Sequence, residues 1–333
     1  MNLTFIKRNT LYHIALSFLT LSVITSCTND DSLQKGGKRI TISAESQKKM
    51  STRIGLVAGN AINEDGDYDD DDLFWLSTDK VSIAFCIDNI INTYSEFKYE
   101  VDLGNDIIAL EGVGPNAGKT NYDVYAIYPE NEKAFIKGAE LGTVELTIEN
   151  RQDAGNSGYA NIDDLAYMWA GDITASFDEN NELKSDVLLQ FKHLTALLRF
   201  NILNKGTQKV IINGISLRPS EEAENTIFYT KAKLNAKDGT LSSFSDPADR
   251  VDVGLRGMVE INPGNTGDGY ICIFPTTSYT SIEGEIIRVY ITYNIEGDNK
   301  EKNDLIEIPL ADLKSKGRFE AGYRYIFEVG INN

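Results

Sequence analysis

The chain has 333 residues, 41% of them hydrophobic and 25% charged, with 50 acidic against 32 basic side chains and a formal charge of −18. That excess of carboxylates repels polyanions, which argues against nucleic acid and anionic membrane surfaces as partners. Three cysteines and two histidines are too few for a disulfide scaffold or a histidine-based metal site, while the length suffices for two domains with a core each.

At the N-terminus, Lys7 and Arg8 precede an apolar run over residues 11–24 that is too short to span a bilayer as a helix. It ends in Ile24-Thr25-Ser26-Cys27, which resembles a bacterial lipobox. The pattern predicts a signal peptide over residues 1–26 and lipid carried by Cys27, whose thiol can form the thioether. The acidic Thr28-Asn29-Asp30-Asp31 then begins a solvent-facing leader over residues 27–53.

Ile40 and Ile42 give the leader a lone alternating run, a predicted strand over residues 39–44. The polar, basic stretch Gln47-Lys48-Lys49-Met50-Ser51-Thr52-Arg53 follows and reads as an exposed, protease-accessible loop. Next comes the densest charge run, residues 65–72. Asp65, Asp67 and Asp69 are its weak candidates for a hard cation, but the ligand spacing of an EF-hand is missing, so a solvated loop is the preferred reading.

Period-two alternation dominates the rest and predicts an all-β, antiparallel chain. Val81, Ile83 and Phe85 form one strand face, and Val144, Leu146 and Ile148 another. Ala196, Leu198, Phe200 and Ile202 line a longer strand. Ile287 to Ile295 and Tyr323 to Ile331 repeat the pattern. Residues 112–118, 262–269 and 296–299 carry turn chemistry. Short helical turns fit residues 161–170 and 310–316. The polar break at 178–186 divides an N-terminal sandwich, residues 54–186, from a C-terminal one, residues 187–333.

Catalytic and cofactor chemistry has little support. His193 lies within a strand pattern and reads as structural, since no second histidine of the exported chain can complete a triad or zinc site. There is no Gly-x-Ser-x-Gly, Walker-type loop or His-Glu-x-x-His. No enzyme and no cofactor is expected. Cys86 and Cys272 sit in apolar strands of different halves and read as buried thiols. Trp75 and Trp169 read as core or sheet-end residues.

In order, the lipobox at Cys27, Thr52-Arg53, Trp75 with Asp79-Lys80-Val81-Ser82-Ile83, and Tyr125-Ala126-Ile127-Tyr128-Pro129 form a recognisable set. Asp164 to Ala170, Phe191-Lys192-His193 leading to Phe200, and Ala321-Gly322-Tyr323-Arg324-Tyr325-Ile326-Phe327 complete it. The set resembles the fimbrillin family, subunits of Bacteroidota-type surface fimbriae. The resemblance implies two transthyretin-like sandwiches and assembly by strand exchange with other fimbrial subunits. An arginine-specific protease would cut after Arg53, leaving Ile54 as the new N-terminus, with Arg39, Lys48 and Lys49 as competing basic sites, and the strand carrying Ile40 and Ile42 would be removed. A neighbouring subunit's strand would refill the groove. Stalk subunits continue past the closing strand, whereas only Ile331, Asn332 and Asn333 follow Gly330 here. A tip-like subunit that accepts but does not donate is therefore expected, at the outer membrane surface and in contact with host or bacterial surface ligands. The alternative is a surface lipoprotein that binds glycans through a β-sandwich without polymerising.

Overall fold

The alternating runs become strands almost throughout the computed structural model, which describes residues 37–46, 52–54, 75, 77–104, 107–116, 121–131, 133–154, 160–219, 228–276, 286–309 and 319–332. The first half supplies β1 (Arg39–Ser46), β2 (Thr52–Ile54), β3 (Lys80–Ile87), β4 (Ile90–Gly104), β5 (Ile107–Val113), β6 (Asn121–Tyr128), β7 (Thr143–Thr147), β8 (Arg151–Asp153), β9 (Met168–Ser176) and β10 (Leu188–His193). The second half adds β11 (Ala196–Asn204), β12 (Val210–Pro219), β13 (Phe228–Asn235), β14 (Thr240–Ala248), β15 (Val251–Ile261), β16 (Thr266–Ile273), β17 (Ile286–Ile295), β18 (Glu301–Pro309) and β19 (Arg324–Ile331). A short helix, α1 (Ala160–Leu165), precedes β9. It covers only the start of the predicted helical stretch, because Met168 to Ala170 pair in β9 with β6.

Seven strands close on themselves in the order β1-β10-β9-β6-β3-β4-β5. The expected N-terminal β-sandwich therefore closes along both sides into a barrel, and closure leaves it no free edge. Val81, Ile83 and Phe85 of β3, Val124 and Ala126 of β6, and Leu189 and Phe191 of β10 fill its interior. The C-terminal half packs a four-stranded sheet, β16-β11-β19-β2, and a five-stranded sheet, β18-β17-β12-β15-β8, around one core. Phe200 and Phe327 stack at its centre with ring centroids 5.1 Å apart. β17 keeps strict alternation of buried and half-buried residues, and the edge strand β18 exposes Glu301, Asn303, Leu305 and Glu307. Charge on an edge discourages pairing with a foreign chain.

A three-stranded sheet, β14-β13-β7, covers the outer wall of the barrel. Ala84, Cys86, Tyr125, Ile127 and Trp169 on that wall join Leu146, Leu234, Tyr270 and Cys272 in a second core. This explains why β3 reads as a nearly continuous apolar run: one face lines the barrel and the other the seam. The halves interlock here, since β7 pairs with β13 and β8 with β15. By pairing, β10 belongs to the barrel and β11 to the sandwich, so the chain crosses at Leu194 and Thr195.

Four pairings are parallel among the described strands: β1 with β10, β11 with β19, β15 with β8, and β19 with β2. Each joins strands far apart in sequence, which tight turns cannot connect. Two glycine clusters read as turns each give one end to a strand, while the turn of the second stands at Pro263 and Gly264. Gly112 lies in β5, where a Cβ would sit 2.5 Å from the Phe97 ring. Gly269 lies in β16, where a Cβ would meet Ile215 at 2.4 Å. In both places a neighbour's side chain fills the space that a side chain would need. The turn over residues 296–299 is present, with Gly297 at φ 82°. The predicted helix at 310–316 lies outside the described residues.

Candidate functional site

β1 is the strand on which the closure of the barrel depends. It runs antiparallel to β5 from Arg39 opposite Val113 to Glu45 opposite Ile107, and parallel to β10 from Ser43 opposite Leu188 to Ser46 opposite Phe191. The Ser43 N–H donates to the Val187 carbonyl at 2.9 Å, and the Gly114 N–H donates to the Lys38 carbonyl at 2.9 Å. One edge of the strand is therefore paired almost throughout and the other from Ser43 onward.

Alternation sorts its side chains. Ile42 and Ala44 are fully buried and Ile40 is 7% exposed, all within the barrel core. Burying each isoleucine is worth roughly 2 kcal/mol, with less from alanine. Their sum, about 5 kcal/mol, reaches the lower end of the whole stability of a small domain, on the order of 5–15 kcal/mol. A barrel deprived of β1 would expose this apolar floor and two rows of unpaired backbone groups.

On the outer face, the Arg39 guanidinium lies 3.3 Å from both carboxylate oxygens of Glu111, and Lys38 pairs with Glu182. At the other end, Gln190 Nε2 donates to Glu45 Oε1 at 2.7 Å. These pairs are exposed and add little stability singly. They place acid at the end of the groove where β1 enters. Close backbone approach is needed there too, since a Cβ on Gly37 would lie 2.4 Å from Val113 and one on Gly114 would lie 2.9 Å from Ile40.

Ile40 and Ile42 thus stand together inside the barrel. Thr52 to Ile54, by contrast, pair with Tyr325 to Phe327 of β19 at the edge of the sandwich sheet. The loop expected at Thr52 and Arg53 is instead the short strand β2, whose partner is the long closing strand. Cys27, Lys48, Lys49 and the acidic Asp65, Asp67 and Asp69 lie outside the described residues. Among the described residues no group of three or more His, Cys, Asp and Glu is placed to hold a metal ion. Ala44, Gly112, Gly114 and the acidic pair Glu111 and Glu182 escape sequence reasoning. Small residues carry no hydrophobic signal, and the two glutamates matter only through partners 72 and 144 residues away.

The other residues singled out have plain structural roles. Trp75 packs edge-on against Tyr128 and Phe191 at one end of the barrel. The buried Trp169 indole donates to the Ala236 carbonyl at 2.8 Å. His193 ends β10, opposite Met168. Cys86 and Cys272 are buried and are not joined in a disulfide.

No curated relative matches the chain by sequence. Among solved structures, the fold is similar to a candidate cell adhesion protein from Bacteroides uniformis ATCC 8492, at 14% identity and a TM-score of 0.49, covering 89% of this chain and 94% of that one. It is also similar to one from Bacteroides ovatus ATCC 8483, at 15% identity and a TM-score of 0.47, covering 90% and 94%. A fimbrilin from Porphyromonas gingivalis W83 shares 9% identity at a TM-score of 0.39, covering 81% and 80%. The model of the fimbrillin-like family matches residues 87–333. That stretch holds six of the seven barrel strands in whole or part and every described strand of the sandwich except β2, so the chain belongs to the fimbrillin-like family of cell-surface fimbrial and adhesion subunits.

Proposed function

We propose that this chain is a fimbrial subunit assembled by strand exchange, with β1 as the strand that is removed. The observation that carries this reading is the burial of Ile40, Ile42 and Ala44 in a slot bounded by β5 and β10, made by a strand from the extreme N-terminal side of the barrel. In this reading Cys27 carries lipid and holds the precursor at the outer membrane until a cut after Arg53 frees Ile54. A strand from another subunit then enters the vacated slot and restores both ladders. The chain accepts without donating, in the manner of a tip subunit, and contacts a surface ligand. Support for the accepting role comes from β19, which pairs with β11 over eight residues and buries Tyr325, Phe327, Val329 and Ile331 in the sandwich core.

Limited digestion of the full chain with an arginine-specific protease tests the reading. The nicked chain should release the segment bearing β1 under mild denaturant, bind a hydrophobic dye, and recover stability when a peptide copy of residues 37–46 is added. A nicked chain that keeps its stability and gains no dye binding would refute it. A concentration-dependent ladder of self-polymers would replace the tip-like role with a stalk-like one. Fatty-acid probe labelling of the wild-type precursor and its absence in Cys27→Ala test the anchor.

A further inference from the structure

We infer that the β1 groove reads its occupant by size, charge and direction: it takes a strand with a basic start, two large aliphatic residues and then a small one at alternate positions, laid parallel to β10. This rests on the strand-exchange reading above and specifies the partner. Directly opposite Ile40 on β5 is Gly112, and Gly114 approaches the same side chain from the loop beyond. Ile42 faces Leu110. Ala44 faces Ile108 on one side and Leu189 on the other. The sizes are complementary along the groove, with a large residue packed on Gly114 at one end and a small one between two large ones at the other.

Close packing makes such a pattern selective. An isoleucine in place of Ala44 would crowd Ile108 and Leu189, both almost completely buried, and an alanine in place of Ile40 leaves a void beside Gly114. A strand inserted in the opposite direction brings its small residue to the wide end and its large one to the narrow end. Charge gives the same direction, because Glu111 and Glu182 flank the wide end, where Lys38 and Arg39 lie. Complementary rim charges guide orientation and rate of entry more than final affinity. The chain's own closing strand does not meet the pattern. Its inward residues Tyr325, Phe327, Val329 and Ile331 are all large, so the groove favours a strand of different sequence.

Peptide entry into the nicked full chain is the test, with a fluorescent copy of residues 37–46 as the reference probe. Peptides carrying Ala44→Ile, the reversed sequence, or the sequence of residues 324–331 should be retained at least about tenfold more weakly. A peptide with Lys38→Glu and Arg39→Glu should enter more slowly, and the gap should close in high salt. In the Gly114→Ala chain the preference should shift toward a peptide with Ile40→Ala, a rescue that general destabilisation would not produce. If the reference peptide itself fails to enter, the strand-exchange reading falls. If the reference, Ala44→Ile and reversed peptides are retained equally, that reading stands and the selectivity inferred here is wrong.

Discussion

The Gln152 side chain takes the place of a neighbouring strand for Cys272. Its amide nitrogen donates to the Cys272 carbonyl at 2.6 Å, and its amide oxygen accepts from the Cys272 N–H at 3.0 Å. Cys272 lies on β16, the edge of the sandwich's four-stranded sheet, while Gln152 lies on β8 of the facing sheet. One side chain thus satisfies both backbone groups that the edge would leave buried and unpaired.

Replacing this amide should be costly. Gln152→Leu preserves bulk but removes both hydrogen bonds to the Cys272 backbone, and losing a buried hydrogen-bond partner costs about 1–3 kcal/mol. Equilibrium urea unfolding should show a midpoint lowered accordingly. An unchanged midpoint would mean that water reaches the edge of β16.

Trp169 and Gly239 allow a contact to be separated from a backbone effect. Gly239 has φ 72°, and a Cβ there would lie 2.4 Å from the Trp169 ring, whereas Gly264 has φ 77° with nothing within 4 Å. Gly264→Ala should therefore cost about 1 kcal/mol of left-handed backbone strain. Gly239→Ala should cost about 1–3 kcal/mol more by driving the indole out of place. Thermal unfolding of the two variants side by side checks the difference.

The Cys86 thiol should make the protein sensitive to alkali. Burial, reinforced by the Asp123 carboxylate, pushes it from 9.0 up to about 12. The folded state then keeps a proton that the unfolded chain releases above pH 9.0. The associated stability is complete below pH 9.0 and is lost as pH rises from there toward about 12. Urea midpoints should fall less steeply over this range for Cys86→Ala than for wild type. Equal slopes would show that other groups dominate the alkaline limb.

Within the groove strand, the inward and outward positions should respond very unequally to truncation. Ile42→Ala removes a fully buried side chain and should cost about 2–5 kcal/mol. Thr41→Ala, on the exposed face, should stay within about 0.5 kcal/mol of wild type. Denaturant titration of both intact variants decides whether β1 is a working part of the barrel core.

Much of this architecture is legible from period-two alternation, because burial of one face leaves a direct mark on sequence. The strands around Val81, Ala196 and Ile287 stand where that mark predicts them. The resemblance carried by Trp75, Phe191-Lys192-His193 and the closing Tyr323-Arg324-Tyr325 also points to the family that the chain belongs to. What alternation does not carry is the identity of partners. The closure of the barrel through β1, the parallel pair β11 and β19, and the docking of β7 on β13 depend on contacts between distant segments. Glycines in strands mislead for a related reason, as at Gly112 and Gly269, where the explanation lies on a neighbouring strand.

Pairing along both edges of β1 also sets its mechanical behaviour. Ladder bonds lie across the strand, so tension along its axis loads the seven β5 pairings and the four β10 pairings together, in shear. The same strand lifted by one end breaks them in succession, at far lower force. A strand held in this slot therefore resists axial pull far more than peeling. Its β10 wall leads through Leu194 and Thr195 straight into β11, at the heart of the sandwich, so axial load passes into the second core without crossing a flexible connector.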